Sequence, residues 1–163
     1  MPWNRPFGIN LNTHAFAASA NVDLGRGFGM GFVFRRYSGY PINETTGTDV
    51  NGDGTTNDRP KVGLNDQATL PSGRPGTIVS EVDSRGVAVR NGIDGEPKAI
   101  LDGRFQYIHR IGRYQAGLFL EIYNLTNHVN FANPTGARNS RNFLKEIVSD
   151  NPRTAQIGVW VTF

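Results

Sequence analysis

Apolar side chains recur at every second position in five stretches of this 163-residue chain, and this alternation limits its fold more than any other feature. A period of two places successive side chains on opposite faces of a β-strand. The pattern predicts β-strands over residues 12–24, 28–38, 98–111, 114–125 and 154–163. We therefore expect an all-β fold of antiparallel up-and-down strands, with at most one helical turn, over residues 142–148.

The connections between these strands alternate in length. Short turns are predicted at residues 25–27 and 111–113. Residues 39–97 and 129–153 lack periodicity and are rich in Gly, Asn, Asp, Thr and Pro, which predicts two long loops without regular structure. Outer-membrane β-barrels join their strands by short periplasmic turns and long extracellular loops. If the C-terminus is periplasmic, both long segments are extracellular.

Three segments resemble the C-terminal region of TonB-dependent receptors, especially their Oar-like subgroup. Residues 121–131, Glu-Ile-Tyr-Asn-Leu-Thr-Asn-His-Val-Asn-Phe, are similar to the signature E-x-F-N-L-x-N-x-x-N-F, with Tyr123 in place of the usual Phe. Residues 36–43 resemble an R-S-G-x-P-Y segment of the same proteins, with two departures. Residues 155–163 resemble their Q-x-G-hydrophobic ending, which closes on a Phe.

The resemblance implies that residues 1–163 are the C-terminal part of an outer-membrane β-barrel domain of a TonB-dependent receptor or transporter. Such transporters have about 22 strands and a plugged lumen. Five strands cannot close, because the smallest barrels have about eight. The start of the chain has no apolar signal-peptide stretch, so we expect a fragment or a shortened product.

The same resemblance implies a location in the cell outer membrane and a set of partners. These are the membrane lipid, the rest of the barrel with its plug, TonB through a missing N-terminal part, and the barrel-assembly machinery. The machinery would read the apolar alternation of the last strand as an assembly signal. Its residues are Ile157, Val159, Val161 and Phe163.

Polar residues alternate with the apolar ones on the later strands. They are predicted to face the barrel lumen, where they could contact a plug or a solute, or form a solvated and mutually paired wall, which we favour. These residues are Asp102, Arg104, Gln106, Glu121 and Gln156.

The first long loop begins like a calcium-binding EF-hand loop. Asp49, Asn51 and Asp53 stand at positions 1, 3 and 5, followed by glycine, and Asn57 or Asp58 could add a ligand. Hard Ca²⁺ prefers such oxygen ligands, but position 12 is Pro where a bidentate Glu is expected. Calcium is therefore a possible cofactor, bound at about 10⁻⁴–10⁻³ M. The alternative is a solvated Asx/Gly turn that binds nothing.

Composition narrows the remaining classes of function. The chain has no Cys, which excludes disulfides and Cys-based metal or redox sites. Its charge of +3 comes from scattered arginines, so we expect no nucleic-acid binding. No constellation for catalysis is present, and we expect no enzyme. The second interpretation is an exported soluble β-sandwich binding module with a calcium loop, for which carbohydrate is a candidate ligand.

Overall fold

The computed structural model describes residues 14–61 and 84–163. The remaining residues include 12–13 of the first predicted strand and 62–83 of the first predicted loop, which therefore lie outside the described part. No helix long and apolar enough to cross a membrane is found within the described ranges. They contain seven β-strands: β1 (Ala15–Gly25), β2 (Phe28–Tyr37), β3 (Pro41–Ile42), β4 (Ile93–Asp94), β5 (Lys98–Ile111), β6 (Tyr114–Tyr123) and β7 (Thr154–Thr162).

The five long strands form one antiparallel sheet in the order β1-β2-β5-β6-β7. Each pairs with its neighbours in the up-and-down manner, and β1 and β7 are the two edges. The all-β prediction and the five predicted long strands are confirmed, with ends that differ by a few residues. The sheet is open and does not close into a barrel.

Tight turns connect β1 to β2 and β5 to β6, as predicted. Gly25, Arg26 and Gly27 all have positive φ angles (76°, 55° and 88°), and Gly112 has φ 61°. Glycine reaches this left-handed region without steric cost, so its placement explains where the two hairpins reverse. Asp23 supports the first turn by accepting the Gly25 N–H at 2.8 Å.

The strand register gives the sheet one apolar face. Residues directly opposite each other in an antiparallel pair lie on the same face. Met30 lies opposite Phe105, which lies opposite Leu120, which in turn lies opposite Ile157. Adjacent rows continue the pattern, and the face stays open to solvent, with Ile157 73% exposed. We call this side the apolar face and the opposite side the polar face.

Most of the described residues of the two long loops belong to a second compact unit, built from segments 38–61, 84–97 and 131–149. It has a small core in which Ile42 of β3, Ile93 of β4 and Leu144 are buried, with Phe143 packed against them. Glu44, only 2% exposed, forms an ion pair with Arg138. The expectation that residues 39–97 lack regular structure is therefore wrong at β3 and β4.

The helical turn expected over residues 142–148 is also absent. Residues 140–145 instead form successive turns, with hydrogen bonds from Phe143 N–H to Ser140 O (3.1 Å) and from Lys145 N–H to Asn142 O (3.0 Å). Leu144 has φ 53°, a left-handed angle that a right-handed helix cannot contain. Its N–H is bonded to Thr135 O at 3.0 Å, so a distant partner replaces the helical one.

Candidate functional site: the polar face of the sheet and the acidic loop

A cross-strand cluster occupies the middle of the polar face. Arg104 of β5 lies directly opposite Glu121 of β6, and Glu121 lies opposite Gln156 of β7. Arg104 Nη1 is 2.5 Å from Glu121 Oε1. Glu121 Oε2 accepts hydrogen bonds from the Gln156 amide and from the Tyr123 hydroxyl, the latter at 3.1 Å. We call these four residues the Glu121 cluster; three neighbouring side chains donate to one carboxylate.

A second ion pair lies next to this cluster. Arg35 of β2 pairs with Asp102 of β5, whose side chain is only 16% exposed. The other oxygen of Asp102 accepts the Asn124 N–H at 3.0 Å. Gln106, also on this face, packs over Gly29, where an added Cβ would lie 3.2 Å from the Gln106 amide nitrogen. All five residues predicted to face a lumen thus share one face of the sheet.

The polar face is concave and electrically paired. It borders a cleft of about 1110 Å³, lined by residues that include Asn21, Arg104, Gln106 and Glu121. The two carboxylates in mid-strand, Asp102 and Glu121, each have an arginine partner. Chemically, such a surface offers hydrogen-bonding groups to water or to a polar partner. Its paired charges support a self-neutralised wall rather than a site for one charged ligand.

Two aromatic rings cover glycines on this same face. Phe119 lies over Gly158, its direct partner on β7, and Trp160 lies over Gly117 on β6. The guanidinium carbon of Arg104 is 4.5 Å from the Phe119 ring centroid. Cross-strand packing of this kind helps to fix register in sheets. The apolar alternation alone did not predict these pairs; aromatic and glycine residues at alternate positions of β6 and β7 were the signal for them.

Three asparagines spaced by three residues hold the ends of β5, β6 and β7. Asn124, 6% exposed, closes a loop with the backbone of His128 through Oδ1 (3.1 Å) and Nδ2 (2.9 Å). Asn127 Oδ1 accepts the Arg153 N–H at 3.1 Å. Asn130, 4% exposed, accepts the N–H of Ala99 (2.8 Å) and donates to its carbonyl (3.0 Å).

These asparagines entered the sequence analysis only as part of the resemblance over residues 121–131. The structure gives them a physical role, because each satisfies backbone groups near the end of a strand or in the connection beyond it. Buried backbone groups need such partners. The spacing of Asn124, Asn127 and Asn130 was the signal that could have revealed this set, which we call the asparagine clamp.

The residues of the expected assembly signal lie on or just beyond the edge strand β7. Ile157, Val159 and Val161 occupy alternate positions on the apolar face and are 73%, 70% and 61% exposed. Phe163 follows the strand and is 93% exposed. The described structure therefore gives this edge a row of apolar side chains without a covering element.

In residues 49–58, which we call the acidic loop, two carboxylates accept hydrogen bonds from the backbone around them. Asp49 Oδ1 accepts the N–H groups of Gly52 (2.7 Å) and Asp53 (3.1 Å), and Oδ2 accepts that of Gly54 (2.8 Å). Asp58 Oδ2 accepts the N–H groups of Val50 (2.5 Å) and Asn51 (3.1 Å). Gly52 and Gly54 have φ angles of 76° and 84°, as the sharp turn requires.

Asp53 is held within the same loop. Its Oδ1 accepts the hydroxyl of Thr55 at 2.6 Å and the Thr55 N–H at 2.9 Å, and its Oδ2 accepts the Asn51 amide at 3.1 Å. The Thr55 hydroxyl, then the Thr55 N–H and the Asn51 amide, lower the pKa of Asp53 below its ordinary 3.8. Asn57 takes no part in the hydrogen bonds described for this loop.

The loop thus has the geometry of a hydrogen-bonded Asx turn. In the part of the chain that the structure describes, no group of three or more His, Asp or Glu residues is arranged to hold a metal ion. A cation would have to replace N–H donors at Asp49 and Asp58 before binding them. Calcium binding stays a prediction.

Comparison with known proteins adds no identification. No protein-family profile matches the chain, and no characterised protein or solved structure gives a significant match.

Proposed function

We propose that this chain forms the C-terminal strands of an outer-membrane β-barrel of the TonB-dependent receptor type. The observation that carries the proposal is the difference between the two faces of the five-stranded sheet. One face presents apolar side chains from every long strand, and the other presents ion pairs and hydrogen-bonded polar groups. A membrane barrel needs this division, because its outside meets lipid and its interior is polar.

The exposed apolar area supports lipid as the surrounding medium. Leu118, Val159 and Val161 are 49%, 70% and 61% exposed, and they belong to one continuous face. A contiguous exposed patch spread over several strands is rare on soluble monomers. Transfer of this surface from water into hydrocarbon would be favourable by about 25 cal/mol for each Å² of apolar area buried.

Strand length agrees with a membrane span. β1, β2, β6 and β7 contain 11, 10, 10 and 9 residues. A tilted transmembrane β-strand needs about 9–11 residues. β5 is longer, with 14 residues; it extends past β2 at the end of the short turns and past β6 at the opposite end.

The polar face would then line the lumen, where the Glu121 cluster and the Arg35–Asp102 pair face water and the plug. The open edges β1 and β7 would pair with further strands of the barrel, because unpaired edges have unsatisfied backbone groups. The partners in this proposal are outer-membrane lipid, the remaining barrel and plug, the assembly machinery, and TonB through segments elsewhere in the receptor.

The test compares two exposed positions on opposite faces. Because the chain has no Cys, a single introduced thiol can be spin-labelled without background. Leu118→Cys places the label on the apolar face, and Gln106→Cys places it on the polar face. In reconstituted bilayers, collision with oxygen should dominate for the label at 118. Collision with a water-soluble nickel chelate should dominate for the label at 106.

The soluble β-sandwich makes the opposite prediction. A second sheet would cover the apolar face, and the label at 118 would then be shielded from both reagents, in water and without any bilayer. Equal access of the nickel chelate to both labels would also overturn the barrel proposal. Fractionation of the source cells gives an independent measurement, since the proposal requires the protein in the outer-membrane fraction.

A further inference from the structure

The dipeptide Asn–Gly occurs twice in the sequence, at residues 51–52 and 91–92. Asparagine is a thermolabile residue. Before a glycine it cyclises readily, because the next backbone nitrogen can attack the side-chain amide and glycine has no side chain to obstruct the approach. Both pairs belong to the second compact unit, and their surroundings differ.

The first pair, Asn51–Gly52, is open to solvent. Both residues are exposed. Gly52 has φ 76°, and a Cβ placed on it would meet nothing within 4 Å. Water and hydroxide can therefore reach the Gly52 nitrogen, and this peptide can move without displacing packed side chains.

The side chain of Asn51 is held along the peptide bond with which it would react. Its Oδ1 accepts the Asp53 N–H at 2.9 Å, and its Nδ2 donates to Asp53 Oδ2 at 3.1 Å. A side-chain oxygen bonded to the residue two positions ahead brings Cγ towards the intervening Gly52 nitrogen. The Asp53 N–H is also placed to stabilise the negative charge that develops on Oδ1 during the attack.

Asp49 restrains this reaction without preventing it. Its Oδ1 accepts the Gly52 N–H at 2.7 Å, and this proton must leave before the nitrogen can attack. The same oxygen also accepts the Asp53 N–H at 3.1 Å. Because Asp49 and Gly52 are both exposed, opening their hydrogen bond uncovers no apolar core and replaces it by bonds to water.

The second pair, Asn91–Gly92, is protected by burial. Asn91 is 5% exposed, and the neighbouring Ile93 is fully buried in the core of the unit. The Gly92 N–H donates to the Val89 carbonyl at 3.1 Å, and the Asn91 N–H donates to Asn43 Oδ1 at 3.3 Å. Freeing the Gly92 nitrogen requires local opening of the segment around Ile93, so the reactive population is small.

We propose that Asn51 is a site of spontaneous deamidation in the folded chain and that Asn91 is not. The Gly52 nitrogen loses its proton to hydroxide and attacks Asn51 Cγ. The Cγ–Nδ2 bond then breaks, and ammonia leaves with a proton from water, which forms a cyclic imide and regenerates hydroxide. Water opens the ring at either carbonyl and gives aspartate or isoaspartate, with no oxidation or reduction.

Either product changes the acidic loop. It adds one negative charge at position 51 and removes the amide that donates to Asp53 Oδ2. Like charges so close together repel one another, so the turn is loosened where it is now hydrogen-bonded. The reaction is independent of the proposed function, because it needs only this loop and water.

The experiment incubates the full chain in mildly alkaline buffer, in its native state and in urea. Tandem mass spectrometry of protease digests detects the change from amide to acid and assigns it to position 51 or 91. In urea both asparagines should react at similar rates, because the dipeptide is the same. In the native chain Asn51 should react faster by about tenfold or more, which corresponds to about 1.4 kcal/mol of local opening free energy at Asn91.

Two glycine variants provide the matched control. Gly52→Ala places a methyl beside the attacking nitrogen and should remove most of the reaction at Asn51. Gly54→Ala has similar backbone strain, with φ 84° and nothing within 4 Å of the added Cβ, but it does not follow Asn51, so the reaction should persist. A rate at Asn51 equal to or below that at Asn91 in the native chain, or equal slowing by the two variants, would overturn the proposal.

Discussion

Trp160 of β7 lies directly across Gly117 of β6, and its indole covers the glycine so closely that a Cβ at position 117 would collide with the ring. Gly117 is buried beneath it. On the neighbouring strand β5, Gly103 lies on the apolar face and has only ordinary contacts around it. The Trp160–Gly117 pair therefore fixes the register of the edge strand by shape.

Gly117→Ala should destabilise the sheet although alanine usually favours a strand over glycine. The added methyl meets the indole, and such overpacking costs about 1–3 kcal/mol. Urea unfolding measures the change. Gly103→Ala is the matched control, because its Cβ would find neighbours no closer than 3.5 Å, and it should be neutral or slightly stabilising. Adding Trp160→Ala should make Gly117→Ala nearly harmless; additive losses in the double variant would contradict the pair.

Asn130→Ala should lower the free energy of unfolding by about 1–3 kcal/mol for each buried backbone group left unsatisfied. The side chain binds both the N–H and the carbonyl of Ala99 and is 4% exposed. Asn130→Asp keeps an acceptor for the N–H but sets a buried carboxylate oxygen against the Ala99 carbonyl, so at neutral pH it should destabilise at least as much as alanine. Equal stability of the alanine variant and the parent would show that the asparagine clamp does not hold β5.

The hydrogen bonds of Asp53 should keep the acidic loop ordered at pH values somewhat below the ordinary aspartate pKa of 3.8. Its pKa is lower in the folded loop than the reference 3.8, mainly because of the Thr55 hydroxyl. A depressed pKa contributes stability that is present above the unfolded value and lost as pH falls through the folded value. Hydrogen exchange of the Thr55 N–H should stay slow from neutral pH to below 3.8 and then accelerate after correction for intrinsic rates. Thr55→Val should raise the pH at which this acceleration begins, whereas Thr56→Val should leave that pH unchanged.

Calcium should bind the acidic loop weakly, at about 10⁻⁴–10⁻³ M, because a bidentate Glu is missing at position 12. The carboxylates of Asp49 and Asp58 must also exchange backbone N–H donors for the cation. Calorimetric titration of Ca²⁺ into the parent and into Asp53→Ala measures this. Identical heats from the two proteins would leave the segment as a hydrogen-bonded turn.

Deleting Phe163 should reduce the amount of assembled protein in the outer membrane, if the apolar ending of β7 is read by the assembly machinery. Phe163 is 93% exposed and follows Val159 and Val161 on the same edge. Heat-modifiable gel mobility of membrane fractions measures assembly. Thr162→Ala, on the other face of β7, serves as the control and should assemble normally. If the amount of assembled protein were unchanged without Phe163, this residue would not be part of the assembly signal.

The long strands could be predicted from the sequence because their signal is local. Adjacent residues such as Arg104 and Phe105 must point to opposite faces of a strand, so the parity of each position determines its face before any partner is known. The two short turns could be predicted for an equally local reason. Gly25, Gly27 and Gly112 have positive φ angles, which glycine adopts without steric cost.

The tertiary structure decided which residues meet. Glu121 binds Gln156 from 35 positions away, and Asn130 binds Ala99 from 31 positions away. Ile42, Ile93 and Leu144 form a buried core although each stands alone in a polar segment. No periodicity within a segment encodes such contacts, because strand register and loop packing depend on the shapes of several distant side chains at once. Local alternation determined the faces, and only long-range packing determined the partners across them.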